Sequence, residues 1–138
     1  MIGTPLGGEV ASVSGPSGTV TLVEGRSFCL SEPSGDITPG TAQGLFVLDT
    51  RALSRWELRV NGDRLEGLSV DAHEPYAATF VGRARPQTGQ SDATLVIFRR
   101  RLVGRGMCER ITVVNYSTNP SPVTLEMVCD SDFAGSSR

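Results

Sequence analysis

The chain has 138 residues, a formal net charge of −2 and 38% hydrophobic residues. A single domain of this length buries enough surface for a core without disulfide or metal support. Its near-neutral charge gives no reason to expect binding to nucleic acid or to a membrane surface. All 13 basic residues are arginines, which we interpret as a composition bias.

The three cysteines and the single histidine restrict the chemistry further. Cys29, Cys108 and Cys129 form no CxxC pair and are odd in number, which indicates a reducing compartment rather than a disulfide framework. With His73 as the sole histidine, we expect neither a metal site nor a cofactor. The N-terminal segment does not have the pattern of a signal peptide, and no apolar run is long enough to span a membrane. The prediction is a cytoplasmic protein.

In chain order, the N-terminal third predicts a leader, a hairpin and a long loop. Residues 1–18 are rich in Gly, Ser, Thr and Pro and are predicted to be flexible. Thr19–Glu24 and Ser27–Ser31 are predicted strands, joined by a turn at Gly25-Arg26. The loop of residues 32–43 contains two prolines and two glycines. Its length is typical of loops that are functional or mobile.

The stretch Gly44–Gly62 carries the clearest strand and turn signals. Its apolar start leads to a polar corner, where Asp49 or Thr50 is expected to cap a turn through residues 51–53. Asn61-Gly62, at the end, is the strongest short-range signal for a hairpin. The strand before this turn has alternating apolar and polar residues. The side chains predicted to face inward are those of Trp56, Leu58 and Val60. The side chains predicted to face outward are those of Arg55, Glu57 and Arg59.

The remaining chain predicts short strands without helical periodicity. They are Arg64–Val70, which should pair with the preceding strand, Tyr76–Val81, Thr94–Val103, Met107–Val114 and Val123–Asp130, with a polar loop at 83–93. Eight or nine strands at this spacing predict an all-β antiparallel sandwich or barrel. We expect the run Arg99–Arg101 to be a solvated strand face and the cysteines to be small core residues, with Cys129 facing inward.

Acidic residues are the natural candidates for catalysis, because glycosidases use two carboxylates. The sequence gives no reason for any two of the candidate carboxylates to face each other. We therefore interpret them as turn caps or as residues on solvated strand faces. The candidates are Asp36, Asp49, Glu57, Asp63 and Asp71. Asp49 stands apart because it is close to Arg51. An ion pair between them would either lock the corner or hold a polar ligand.

Three motifs carry a resemblance to a known family. They are SGDI at 34–37, DTR-x-LSRWEL at 49–58 and D-x-DFA at 130–134. With the sequence around them, from about residue 20 to 133, they resemble the N-terminal domain of bacterial glycogen debranching enzymes of the amylo-α-1,6-glucosidase type. In that family the domain is a β-sandwich, supersandwich-like, that precedes an (α/α)6 barrel carrying the catalytic carboxylates.

The resemblance implies a β-sandwich domain at 19–134, a tail at 135–138 and an accessory role in α-1,6-glucosidic hydrolysis of glycogen-like glucans. It implies no catalytic residue and, by itself, no enzyme. Candidate contacts with a ligand or a neighbouring domain are Asp36, Asp49, Arg51 and Arg55. The expected partners are a glucan, a catalytic (α/α)6 domain or a second copy bound through open sheet edges.

The family's sequence continues beyond the D-x-DFA motif, whereas this one stops at residue 138. We therefore expect either an excised domain or a natural truncation. The alternative function is a stand-alone β-sandwich that acts in interaction or assembly without enzymatic activity.

Overall fold

The computed structural model describes residues 13–14, 18–86 and 95–135, and within them it contains strands but no helix. The strands are β1 (Val13–Ser14), β2 (Thr19–Glu24), β3 (Ser27–Ser31), β4 (Gly44–Val47), β5 (Thr50–Leu53), β6 (Arg55–Val60), β7 (Asp63–Arg64), β8 (Glu66–Glu74), β9 (Ala77–Arg83), β10 (Leu95–Val103), β11 (Met107–Asn115) and β12 (Leu125–Asp130). The predicted all-β class is confirmed. The predicted number of strands was too low, because short pieces such as β1 and β7 carry no sequence signal of their own.

The strands form three antiparallel sheets, which pack as a sandwich. Their orders are β1-β2-β3-β4-β5, β11-β10-β9-β8 and β12-β6-β7. The four-stranded sheet packs against both of the others. Backbone hydrogen bonds also reach the three-stranded sheet from segments outside it. Ser54 N, between β5 and β6, donates to Asp130 O (2.8 Å), and Ile37, in the loop of residues 32–43, bonds in both directions with Trp56 (2.9 and 3.0 Å).

Two apolar clusters fill the sandwich. The first lies between the four- and five-stranded sheets: Val20, Leu22, Cys29, Ile37, Leu45, Ala72, Ala78, Phe80 and Val103. The second lies between the four- and three-stranded sheets: Leu58, Val60, Leu65, Ala84, Leu95 and Ile97. Strand β10 contributes to both clusters, since Ile97 and Val103 lie near its two ends. The two residues between them on the same face of the strand, at positions 99 and 101, are therefore buried in the interior as well.

Two hairpin turns flank the central region. Asn61 and Gly62 have φ of 53° and 87°, as a type I′ turn requires, which confirms the predicted hairpin. Leu48 and Asp49 also have positive φ, 51° and 67°, and connect β4 to β5. The predicted capped turn through residues 51–53 is therefore wrong. Those residues form strand β5 and pair with β4.

The predicted partner of β6 is also corrected. Of the segment that follows the Asn61-Gly62 turn, only Asp63 and Arg64 pair with β6, and the chain then leaves this sheet. Leu65 is buried in the second cluster, and from Glu66 onward the chain pairs with β9 instead. The apolar Leu65 thus marks the crossing between the two layers. Strand β8 also extends beyond the predicted end at Val70, to Glu74, and includes His73.

The cysteines differ in environment. Cys29 is buried in the first cluster, as predicted, whereas Cys108 and Cys129 are exposed. The prediction that Cys129 faces the core was wrong. Its strand, β12, lies at the edge of its sheet, where alternating side chains are not fully covered even on the inward side.

Three predicted segments fall largely outside the described residues: the leader at 1–18, the loop at 83–93 and the tail at 135–138. Within the leader, Val13 and Ser14 pair with Val20 and Thr19. The described part of the chain has no helix of the length and apolarity that crossing a membrane requires.

The thiol environments lead to a first prediction. Burial raises the pKa of Cys29 more than the nearby Arg101 charge lowers it, so this thiol stays protonated and shielded. We expect Ellman's reagent to label Cys108 and Cys129 in the folded protein, and Cys29 as well once urea is added. Rapid labelling of all three thiols without denaturant would contradict the packing of β3.

Candidate functional site

Two arginines of strand β10 lie in the interior of the sandwich. Arg99 and Arg101 are fully buried between Ile97 and Val103, on the inward face of the strand. The prediction of a solvated basic face was wrong for these two residues and right only for Arg100, which is exposed. Buried guanidinium groups require partners, since an isolated charge in an apolar core costs many kcal/mol.

Glu109 is the first of these partners. It lies on β11 directly opposite Arg101. Its Oε1 accepts hydrogen bonds from Arg101 Nε at 2.8 Å and from Trp56 Nε1 at 3.2 Å. Its Oε2 accepts one from Arg99 Nε at 2.8 Å. One carboxylate therefore joins three strands, β6, β10 and β11.

The charge state of Glu109 follows from these contacts. Burial by itself would raise the pKa of this carboxyl, but the charges of Arg101 and Arg99 and their hydrogen bonds outweigh it and lower the pKa. Glu109 is therefore ionised at neutral pH. A general acid in a glycosidase needs the opposite, a raised pKa that retains the proton.

Asp36 is the second partner, delivered by the loop of residues 32–43. Its Oδ1 accepts hydrogen bonds from Arg99 NH1 at 2.7 Å and from the backbone N of Leu58 at 3.1 Å. Its Oδ2 accepts one from Arg64 Nε at 3.2 Å. Asp36 is 1% exposed, so the structure places this candidate contact residue in the interior, with both oxygens occupied.

Gly35, next to Asp36, allows the loop to approach the arginines. Its carbonyl accepts a hydrogen bond from Arg101 NH2 at 2.6 Å, and the Ser34 carbonyl accepts one from Arg99 NH1 at 3.0 Å. The φ of Gly35 is 95°, and an added Cβ would lie 3.1 Å from Phe80 Cγ and 3.2 Å from Arg99 Cζ. Both the backbone conformation and the lack of space thus require glycine.

The network reaches the surface through Arg64. Arg64 NH2 donates to Glu32 Oε1 at 2.9 Å, and the Thr38 hydroxyl donates to the other oxygen of Glu32. We call this set the buried ion network: Glu32, Asp36, Arg64, Arg99, Arg101 and Glu109. Its three arginines balance its three carboxylates.

Arg51 forms a second, smaller lock. Its Nε and NH2 donate to the two carboxylate oxygens of Asp132 at 3.0 and 2.8 Å, and its NH1 donates to the carbonyls of Thr41 and Gln43 at 3.1 and 3.2 Å. Its backbone N also donates to Ala134 O at 2.7 Å. We call this arrangement the Arg51 clasp. It ties the D-x-DFA segment to β5.

The expected ion pair between Asp49 and Arg51 is replaced by other pairings. The carboxylate that Arg51 holds is that of Asp132, and Asp49 pairs with Arg26 at 3.2 Å. Asp49 occupies the β4–β5 turn with its side chain 68% exposed, next to Leu48, which is 62% exposed. Asp49 lies in the turn with a φ of 67°, outside the extended strand that begins at Thr50, so its side chain does not share a strand face with Arg51.

Arg55, the last candidate residue, lies between Glu57 at 3.6 Å and Asp130 at 3.6 Å. Glu57 also accepts a hydrogen bond from Arg59 at 3.0 Å and is 5% exposed, so its predicted solvated position is corrected. The structure thus brings Arg51 and Arg55 together with the C-terminal D-x-DFA motif. It places Asp36 in the interior and Asp49 at a hairpin turn.

Arg99, Arg101 and Glu109 were not among the residues predicted from the sequence to form a site. A signal was present, since Arg99 and Arg101 alternate in register with Leu95, Ile97 and Val103. The sequence did not show which carboxylates would pair with these arginines, because Glu109 and Asp36 come close to them only in the folded sandwich. The geometry is that of a structural lock. Within the described residues, no group of three or more His, Cys, Asp and Glu side chains could hold a metal ion.

The fold and these locks define an all-β domain in which residues of the three sequence motifs make contacts within the domain itself. The family model for the N-terminal domain of (some) glycogen debranching enzymes matches residues 22–136, and the chain belongs to that family. The match confirms the family resemblance and includes all three motifs. No protein in the curated set matched the chain.

The buried ion network leads to a second prediction. Glu109→Gln should lower the free energy of unfolding by about 3–5 kcal/mol, since it leaves Arg99 and Arg101 buried without their carboxylate. Because the folded pKa of Glu109 is lowered, its contribution is complete above the unfolded pKa of about 4.3 and is lost as the pH falls below it. Urea titrations between pH 7 and pH 3 measure both effects.

The matched control is Glu66→Gln, at an exposed carboxylate 3.0 Å from Arg83. This change should cost less than about 1 kcal/mol. If both variants lost the same stability at pH 7, or if Glu109→Gln kept the full acid dependence of the original protein, the network would not be the lock described above.

A third prediction compares the ion pair of Arg51 with Asp132 and the ion pair of Arg26 with Asp49. Arg51→Ala should lower the melting temperature by on the order of 5 °C, since it removes the bonds to Asp132, Thr41 and Gln43 together. Asp49→Ala, at an exposed turn, should change it by less than about 2 °C. Differential scanning calorimetry of both variants distinguishes them, and a larger loss for Asp49→Ala would restore the original expectation of an Asp49 lock.

Proposed function

We propose that the chain is a non-catalytic module that supports α-1,6-glucosidic hydrolysis of glycogen-like glucans by a catalytic domain lying outside these 138 residues. The observation that carries the proposal is the use of the family motifs. SGDI supplies Asp36 to the buried ion network, and D-x-DFA supplies Asp132 to the Arg51 clasp. These residues hold the domain together.

The charge states of the buried carboxylates support a non-catalytic role. Glu109 is held ionised by two arginines, and Asp36 is 1% exposed and saturated with donors. A glycosidase pair must reach the scissile bond, and one member must release a proton to it. Neither residue meets these requirements.

The surface offers two of the four candidate contact residues to a glucan or a neighbouring domain. Asp49 is open at the β4–β5 turn, and Arg55 keeps 35% of its side-chain surface exposed. Arg51 is 19% exposed and committed to the clasp. We therefore propose Asp49 and Arg55 as the contact residues and assign Asp36 and Arg51 to holding the domain together.

The fourth prediction tests this assignment in two assays. The chain alone should release no glucose from a branched limit dextrin. Titration of the ¹⁵N-labelled protein with maltoheptaose to about 10 mM should shift amide resonances at the β4–β5 turn and in β6. This concentration detects a dissociation constant of about 1 mM, a binding free energy of about −4 kcal/mol. Trp56 fluorescence is a poor reporter, because its indole donates to the interior Glu109.

Cellohexaose, with β-linkages, is the matched sugar control, and Asp49→Ala with Arg55→Ala is the matched variant. Glucose release by the chain alone would overturn the non-catalytic role. Equal shifts with both sugars, or none with either, would count against glucan contact and leave a neighbouring domain as the partner of this surface.

A further inference from the structure

Strand β11 forms one edge of the four-stranded sheet. It is nine residues long and pairs with β10 at nine consecutive positions without a register shift. Within the described residues, no strand pairs with its outer side. Half of the backbone N–H and C=O groups of an edge strand point away from the sheet, ready to pair with another chain.

The opposite edge of the same sheet, β8, is protected. It is also nine residues long, but its pairing with β9 shifts at two places, Gly67/Ser69 and Asp71/Glu74. It carries the charged side chains of Glu66, Asp71 and Glu74. Register irregularities and charges are the usual devices that prevent edge-to-edge pairing. Strand β11 has a continuous register and one exposed charged residue, Arg110.

The side chains of β11 favour the addition of a strand. Residues 111–114 read Ile-Thr-Val-Val, a sequence of high β propensity. The inward side chains of Ile111 and Val113 pack against the second apolar cluster but are only partly buried. A further strand alongside β11 would cover them and extend the core.

The other sheet edges are less suitable. Strands β1 and β7 have two residues each. Strand β5 is bridged by Gly135 at Thr50. Strand β12 has six residues and carries Glu126 and Asp130.

We propose that β11 pairs antiparallel with β11 of a second copy of this chain, about a two-fold axis at Ile111. This inference concerns assembly and does not depend on the glucan role. The occupant is a second copy because the strand is complementary to itself. In this register Ile111 faces Ile111, and Arg110 faces Thr112 of the second copy.

The register follows from three requirements. A shift of one residue would place the core side of one copy against the solvent side of the other, since strand side chains alternate. A shift that centres the pair on Arg110 would place two like charges opposite each other. Centring on Ile111 avoids both and pairs all nine residues, with Cys108 opposite Val114 of the second copy.

The first experiment measures the dimer dissociation constant by sedimentation equilibrium. Thr112→Arg places an arginine opposite Arg110 of the second copy, twice per dimer, and should weaken association by about tenfold. Thr112→Glu places a carboxylate there and should strengthen it severalfold. Ser69→Arg, an exposed position on β8, adds the same charge at the protected edge and should have no effect.

The second experiment tests the register. In a Cys129→Ser background, Val114→Cys introduces a thiol opposite Cys108 of the second copy. Directly opposed residues in an antiparallel pair have Cα atoms about 4.5–5.5 Å apart, within the range of a disulfide. Oxidised glutathione, which takes up the two electrons and two protons, should convert the protein to a covalent dimer, whereas Cys129→Ser alone should stay largely monomeric on a non-reducing gel.

A protein that remains monomeric at about 1 mM in sedimentation overturns the proposal, as does a dimer that Ser69→Arg weakens and Thr112→Arg leaves intact. Far-ultraviolet circular dichroism of each variant shows that it is folded. Dimerisation with the predicted response to both charges at position 112, together with the disulfide, supports the proposed pairing.

Discussion

The presence of two guanidinium groups in the middle of a sandwich is the constraint on which the rest of the structure depends. Arg99 and Arg101 lie between apolar residues of the strand that contributes to both core clusters. A buried ion pair adds little net stability compared with apolar packing, but a buried charge that loses its partner is costly. Stable folding therefore requires that Asp36 and Glu109 lie next to these two arginines.

This obligation explains the path of the 32–43 loop. A loop of this kind would ordinarily run over the surface, because a buried loop has backbone groups to satisfy. Here the carbonyls of Ser34 and Gly35 accept from the arginines, and Asp36 accepts from the Leu58 backbone in β6. The loop thereby links the four-stranded sheet to the three-stranded one, and it gives the two apolar clusters a shared polar centre.

The Arg51 clasp applies the same chemistry at the surface and fixes the C-terminal segment. A bidentate pair between Arg51 and Asp132 has a defined geometry, which two backbone bonds between β5 and residues 133–134 reinforce. The two locks connect the loop of residues 32–43 and the C-terminal segment to the sheets through several hydrogen bonds each. This arrangement is compatible with the proposed role of a non-catalytic module that presents its surface to a neighbouring domain or ligand.

The sequence by itself determined the class of fold, the hairpins at Gly25-Arg26 and Asn61-Gly62, and the family. Alternation and turn residues are local signals, and they are sufficient for these features. Leu48-Asp49 shows their limit, because leucine is unusual at positive φ and the β4–β5 hairpin was missed. The tertiary structure alone decided which polar residues are interior. A strand pattern shows that Arg99 shares a face with Ile97, but only the packed layers bring Asp36, 63 residues away in sequence, within 2.7 Å of it.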